Sequence, residues 1–248
     1  MGSKLIVAII QARMGSTRLP GKSLLPSGDT SVLGYLIKRI SLSKFIDKIV
    51  VATTDADLDN KIVLESNRIG VNVFRGSEQD VLERFYKAAK EYKANFIVRL
   101  TADDPFKTAS IIDDAIRKLL DENLDYCSNT ISPSFPEGLD VEVFSYAALA
   151  EAYHNEPCEF EREHVTPYIW KNKNEKFKIG QIVDENNLSN WRMTIDYKSD
   201  YDDLCRLADL VPINSTYKEL TEQIKKSKVI GILSPKTKRN EAYYERPY

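Results

Sequence analysis

Long apolar runs, a surplus of charge of one sign and a patterned set of cysteines are all missing from this 248-residue chain, and each absence removes a class of function. The apolar run near the start, LIVAII, stops at Gln11 and Arg13, so it reads as neither a secretory leader nor a membrane span. With 35 basic against 37 acidic residues the net charge is -2, which leaves no electrostatic footprint for duplex nucleic acid or an anionic membrane; any anion must be bound locally. Three cysteines, Cys127, Cys158 and Cys205, form an odd set without CxxC spacing, which argues against a disulfide framework and a zinc site and fits a reducing cytoplasm. Histidine is nearly absent, at two residues, and there is no internal repeat or low-complexity tract. The opening Met1-Gly2-Ser3 reads as an added leader.

What is present is a regular alternation. The β-branched runs LIVAII, KIVVATT, VNVF and FIVRL are separated by the helical patterns SVLGYLIKRISLS, DLDNKIVLESNRIG and DVLERFYKAAKEY. Continuous apolar strands between helices predict a mostly parallel sheet covered on both faces, a doubly wound, Rossmann-like α/β fold. Further on, Pro133, Pro136 and Gly138 lead into LDVEVFSY, then a helical AALAEAYHN, then EFEREHVTPYIWKN, KIGQIV and WRMTID. This predicts a mixed sheet with an inserted segment from about 125 to 184 inside a single domain spanning 4–232. EREHVTPYIWKN reads as one helix with Val165, Tyr168, Ile169 and Trp170 on a broad apolar face, available to a second copy of the chain or to its own sheet. Residues 233–248 read as a tail or as an arm laid over a neighbour.

The first strand runs into QARMGSTRLPGKS, whose glycines and Gly-Lys-Ser invite comparison with a phosphate-binding P-loop. That reading fails twice. Gly15 and Gly21 are separated by five residues rather than four, and the following LLPSGDT, with Pro26 and Gly28, cannot continue as the helix such a loop needs. What remains is a loop at the carboxyl edge of a parallel sheet, where open α/β folds bind ligands. It presents Arg13, Arg18 and Lys22 among small residues, able to enclose a triphosphate by charge and close backbone approach.

The blocks QARMGSTRLPGK, VATT, VFRGSEQDVLERFY, VRLTADDP, FPEGLDVEVFS, EREHVTPYI, RMTIDY and NEAYY, in this order, resemble the CMP-sugar cytidylyltransferases. The nearest branch is the spore-coat polysaccharide one, related to CMP-Kdo synthetases and acylneuraminate cytidylyltransferases. The resemblance implies a nucleotide-diphospho-sugar transferase fold and magnesium-dependent transfer of CMP from CTP to a sugar acid or related acceptor. It also implies a homodimer formed through the inserted segment. It assigns Gln11, Ala12, Arg13, Gly15, Ser16, Arg18 and Lys22 to the nucleotide, together with Thr101 and Ala102, and gives Arg13, Arg18, Lys22 and Asp103 the catalytic part. Arg75 and Gly76 would line the base pocket. Asp103 and Asp196 match the positions that hold the catalytic metal, although the family commonly has Gly where this chain has Ala102. Glu137, Asp140, Glu142, Arg162 and His164 fall around the acceptor, with Arg162 as the clamp for a carboxylate.

Bland readings stand beside these. Asp103 or Asp104 would serve equally as a helix cap near Ser110, Ser77 or Asp80 as the cap of the following helix, and His164 as a hydrogen-bonded structural residue. Asp55-Ala56-Asp57 spells the DxD of nucleotide-sugar glycosyltransferases but sits where a helix cap is expected. It sustains a rival, glycosyl transfer from a nucleotide sugar; a non-catalytic nucleotide-binding subunit is the lesser alternative.

Overall fold

In the computed structural model, residues 4–155, 157–233, 235 and 239 are described. In chain order the strands are β1 (Ile6–Gln11), β2 (Pro26–Ser27), β3 (Thr30–Ser31), β4 (Lys48–Thr54), β5 (Asn72–Gly76), β6 (Phe96–Thr101), β7 (Tyr126–Ser128), β8 (Glu142–Ser145) and β9 (Ile179–Gln181). The helices are α1 (Val32–Ile40), α2 (Asn60–Ile69), α3 (Val81–Glu91), α4 (Ala109–Asp121), α5 (Tyr146–His154), α6 (Glu159–His164), α7 (Pro167–Lys171), α8 (Lys198–Leu210), α9 (Tyr217–Ser227) and α10 (Ile230–Leu233).

Seven strands form one sheet in the order β5-β4-β1-β6-β8-β7-β9, with β2 and β3 a separate two-stranded ribbon. β1 is central and parallel to both β4 and β6, its Ile9 facing Val50 on one side and Arg99 on the other. Alternation along β1 shows why both faces are covered. Ile6, Ala8 and Ile10 join a core with α1, α4, α8 and α9, whereas Val7 and Ile9 join a second core with α3, α5 and α7. Each fully buried aliphatic side chain contributes about 1.5–3 kcal/mol, and the absence of a polar face on β1 is the signature that the sequence carried. Helix starts follow local chemistry: Ser31, Asp80, Thr108, Ser145 and Thr216 each accept a backbone N–H of the first turn.

The 125–184 segment carries β7, β8 and β9, which extend the same sheet, and the antiparallel pairing of β8 with β6 makes it the mixed sheet expected. Two sequence expectations need correction. EREHVTPYIWKN is two short helices, broken at Val165, whose backbone is left-handed at φ 71. Val165 and Ile169 are fully buried in the chain's own second core, with Tyr168 and Trp170 packed against it, so this apolar surface covers its own sheet. WRMTID forms no ladder strand; it runs extended with a single bridge between Glu137 and Arg192. Met1-Gly2-Ser3 and the NEAYY block lie outside the described residues. Among the described residues no helix is long and apolar enough to cross a membrane.

Candidate active site

A cleft of about 1540 Å³ opens at the carboxyl ends of β1 and β6. The loop after β1 is held by an aspartate that sequence reading passed over. Asp59, buried beneath it, accepts Met14 N at 2.7 Å while its other oxygen takes the hydroxyls of Thr53 and Thr54 at 3.1 and 2.5 Å. Gly21 donates to Met14 O at 3.1 Å and is left-handed at φ 70; a Cβ there would lie 3.0 Å from Met14 Cε. The loop is thereby closed on itself and delivers Lys22 into the cleft.

Lys22 Nζ sits among three oxygens: Asp103 Oδ2 at 2.6 Å, Ile195 O at 2.6 Å and Asp196 Oδ1 at 3.0 Å. Asp196 also accepts Arg18 Nη2 at 2.5 Å and Arg192 Nη2 at 2.6 Å. Two backbone contacts bring these distant segments together. Ile195 N donates to Asp103 O at 2.9 Å, and Gly138 packs so closely on the Met193 backbone that a Cβ would lie 2.6 Å from its carbonyl. Asp196 therefore reaches the β6 end from an extended segment rather than from a strand end. Burial opposes the Lys22 ammonium, but Asp103 and Asp196 outweigh it and raise the pKa; burial likewise opposes ionisation of Asp103, and Lys22 outweighs that and lowers it.

Asp104 turns the other way, to Lys107 Nζ at 2.9 Å and the Thr101 hydroxyl at 2.5 Å, and burial raises its pKa. Neither aspartate caps α4; Thr108 does. Lys107 continues to Asp140 O, and the Asp140 carboxylate pairs with Arg239. Glu137 pairs with Arg192 at 3.4 Å. Glu142 is buried and receives Arg99, the Tyr126 hydroxyl at 2.7 Å and the Thr166 hydroxyl at 2.5 Å. Burial first, and then Glu142, push the Tyr126 pKa well up. Arg99 in turn donates to Gln11 Oε1 at 3.2 Å, so Glu142 works as an anchor beneath the carboxyl end of β1. Arg162 is held by Asp80, the α3 cap, and His164 packs on Phe160; both line the cleft.

The cleft thus gathers Gln11, Ala12, Arg13, Ser16, Arg18, Lys22, Thr101, Ala102, Asp103 and Asp196, together with Glu137, Asp140, Glu142, Arg162 and His164. It does not gather Gly15, Arg75 or Gly76. Arg75 is spent on the loop after β4, donating to Thr54 O at 2.9 Å, Ala56 O at 3.0 Å and Asn60 Oδ1 at 2.6 Å. The arginine that does line the cleft from this region is Arg84, 2 % exposed, with Nη1 on Ser77 O and no hydrogen-bond partner for Nε. Burial, then neighbouring Arg13, lower its pKa to about 10. Its signal in the sequence was a charge amid Val81, Leu82, Phe85, Ala88 and Ala89 on the apolar face of α3. Asp55 and Asp57 are exposed, cap nothing through their side chains and do not line the cleft.

A doubly wound sheet whose carboxyl edge carries a closed basic loop facing two aspartates has its cleft where open α/β folds bind ligands. The family model described as Cytidylyltransferase matches residues 7–245, and the chain belongs to that family. It is 36 % identical over 206 residues to the spore coat polysaccharide biosynthesis protein SpsF of Bacillus subtilis, covering 80 % of this chain and 84 % of that one. The structure of a cytidylyltransferase from Leptospira borgpetersenii superposes with a TM-score of 0.88 at 37 % identity, over 95 % of this chain and 99 % of the other. CMP:2-keto-3-deoxy-manno-octonic acid synthetase complexed with CTP shares the fold, with a TM-score of 0.64 at 15 % identity over 83 % of this chain and 99 % of that one.

Proposed function

We propose that this enzyme transfers CMP from CTP to a hydroxyl of a sugar acid or related polyhydroxylated acceptor, with magnesium, releasing pyrophosphate and giving an activated sugar for surface polysaccharide or glycan synthesis. The observation that carries the reading is the convergence of Lys22, Arg18, Asp103 and Asp196 at one point of the cleft. Arg13, Arg18 and Lys22 bind the triphosphate and hold the α-phosphorus in line with the attacking oxygen. The new bond joins that oxygen to the α-phosphorus, and the bond to the β-phosphate oxygen breaks.

Asp103 and Asp196 suit magnesium, which takes one or two carboxylates and completes its shell with water and substrate phosphates. A small cation already lies between them as the Lys22 ammonium, so the space and donor type fit. Bound there, magnesium supplies neutralisation of α-phosphate charge and a lowered pKa for a hydroxyl that it contacts. Arg84, buried beside Arg13, replaces Arg75 as the arginine reading the nucleotide's base side. The acceptor falls against Glu137, Asp140, Arg162 and His164. A homodimer remains part of the proposal on family resemblance alone, because the apolar surface that motivated it covers the chain's own core.

Incubation with CTP, magnesium and a panel of sugar acids and phosphorylated polyols tests the reading. Pyrophosphate and a CMP-sugar support it. Release of a nucleoside diphosphate from a nucleotide sugar supports glycosyl transfer, which has lost its DxD motif from the cleft.

A further inference from the structure

We infer that Lys22 is an internal cation that keeps the Asp103–Asp196 site closed to a divalent ion until a nucleoside triphosphate arrives. The inference rests on the reading of those carboxylates as the metal-holding pair and adds an order of events to it. An ammonium has three donors, and Lys22 uses all of them on Asp103, Ile195 O and Asp196, an all-oxygen cage of the kind that a hard cation requires. The lysine is 9 % exposed, so an ion entering alone must evict a fully hydrogen-bonded, buried charge and leave it with no counter-charge in its place.

A triphosphate changes that balance. Its oxygens give Lys22 and Arg18 new acceptors in the same cleft, and their departure uncovers Asp103 Oδ2 and Asp196 Oδ1 together. Asp196 does not drift when this happens, because Arg192 holds its other oxygen at 2.6 Å and Asp200 accepts its backbone N–H at 2.8 Å. Nor does the Lys22 backbone need to move, since the turn at Lys22–Leu24 is closed by Leu24 N on Gly21 O at 2.9 Å and Leu25 N on Lys22 O at 3.2 Å. The moving part is one flexible side chain. Metal and nucleotide are thereby coupled through Lys22, over and above their chelation in solution, and the coupling is reciprocal.

Mn²⁺ binding to the nucleotide-free protein, followed by electron paramagnetic resonance, tests this without turnover. The wild type is expected to bind weakly. Lys22→Met and Lys22→Gln are expected to bind at least about tenfold tighter, within the usual range of coupling between sites. Lys22→Arg, which keeps a cation, stays close to the wild type, and adding Asp196→Asn to Lys22→Met removes the gain. Neutral variants that retain the wild-type circular dichroism yet gain no Mn²⁺ affinity overturn the inference, as does a gain that survives Asp196→Asn. Tight stoichiometric binding by the nucleotide-free wild type overturns it without any variant. If the gain appears but CTP yields no pyrophosphate with any acceptor, the proposed activity fails and the closure stands. Turnover of CTP without the gain leaves the activity and removes the closure.

Discussion

Two buried cations tie the first part of this chain to its last, and they do so in opposite ways. Arg39, 1 % exposed, donates to the carbonyls of Lys107 at 3.1 Å, Pro212 at 3.3 Å, Ile213 at 3.1 Å and Ser215 at 3.1 Å, with its guanidinium over the Phe106 ring. Lys22 binds two carboxylates and one carbonyl in the wall of a cleft. Burial lowers the pKa of Arg39, since its partners carry no charge, with Tyr35 giving only a small offset; for Lys22 the carboxylates overcome burial and raise it. Backbone carbonyls have nowhere else to go and fix a cation permanently, whereas carboxylates beside a cleft accept another cation when the first is drawn away. The first arrangement builds the fold, and the second is available to chemistry.

The largest effect that sharpens this contrast is on rate. Lys22→Met is expected to lower turnover by about 10²–10³-fold, the usual cost of one charged transition-state donor, while stability falls less than in Arg39→Met because Arg18 and Arg192 still face Asp196. Asp196→Asn and Asp103→Asn follow in the same direction; near-parental turnover of either in pyrophosphate-release assays with magnesium would make that carboxylate structural. Arg39→Met reverses the pattern. It strands four carbonyls and is expected to cost about 3 kcal/mol in denaturant unfolding, with the folded fraction keeping its specific activity.

Arg84→Gln comes next, raising the dissociation constant for CTP about tenfold through loss of a charge-assisted hydrogen bond, as read by calorimetry. Arg75→Ala, by contrast, leaves CTP affinity unchanged. The smallest effect is a pH dependence. Asp103 has a lowered pKa, so its pairing stabilises fully above the ordinary 3.8 and is lost as pH falls from there through the lowered value. Lys22 has a raised pKa, so its share is complete below 10.5 and is lost only as pH climbs past it. The contribution of this pair to wild-type stability is therefore flat between those limits and falls away outside them, as pH-dependent unfolding would show.

How much of this was legible in the sequence follows the range of the interactions involved. The parallel strands and their two covered faces showed in LIVAII and FIVRL because burial on both sides writes itself into every residue. The QARMGSTRLPGKS loop was legible as a basic, non-Walker loop, since strand, glycine spacing and Pro26 are all local. The break at Val165 was not, because a left-handed valine has no local signature and is held by the core around it. The role of Asp59 beneath the loop, of Glu142 beneath Arg99 and of Arg192 beside Asp196 depends on partners 40 or more residues away for the first two. For the third it depends on how Gly138 seats the 191–196 segment. Arg75 and Arg84 are the instructive pair. Both are arginines in VFRGSEQDVLERFY, and the one read as a loop residue lies in β5 and is absorbed by two backbone carbonyls and Asn60, while the one on the apolar face of α3 reaches the cleft.

Nucleotide selection tests the account most directly, because it needs no knowledge of the acceptor. Calorimetric titration of the wild type with CTP, UTP, ATP and GTP in the presence of magnesium should give the tightest binding for CTP, and Lys22→Met should weaken it. Equal affinity for all four nucleotides, or CTP binding indifferent to Lys22, would contradict the assignment of this cleft to cytidylyl transfer.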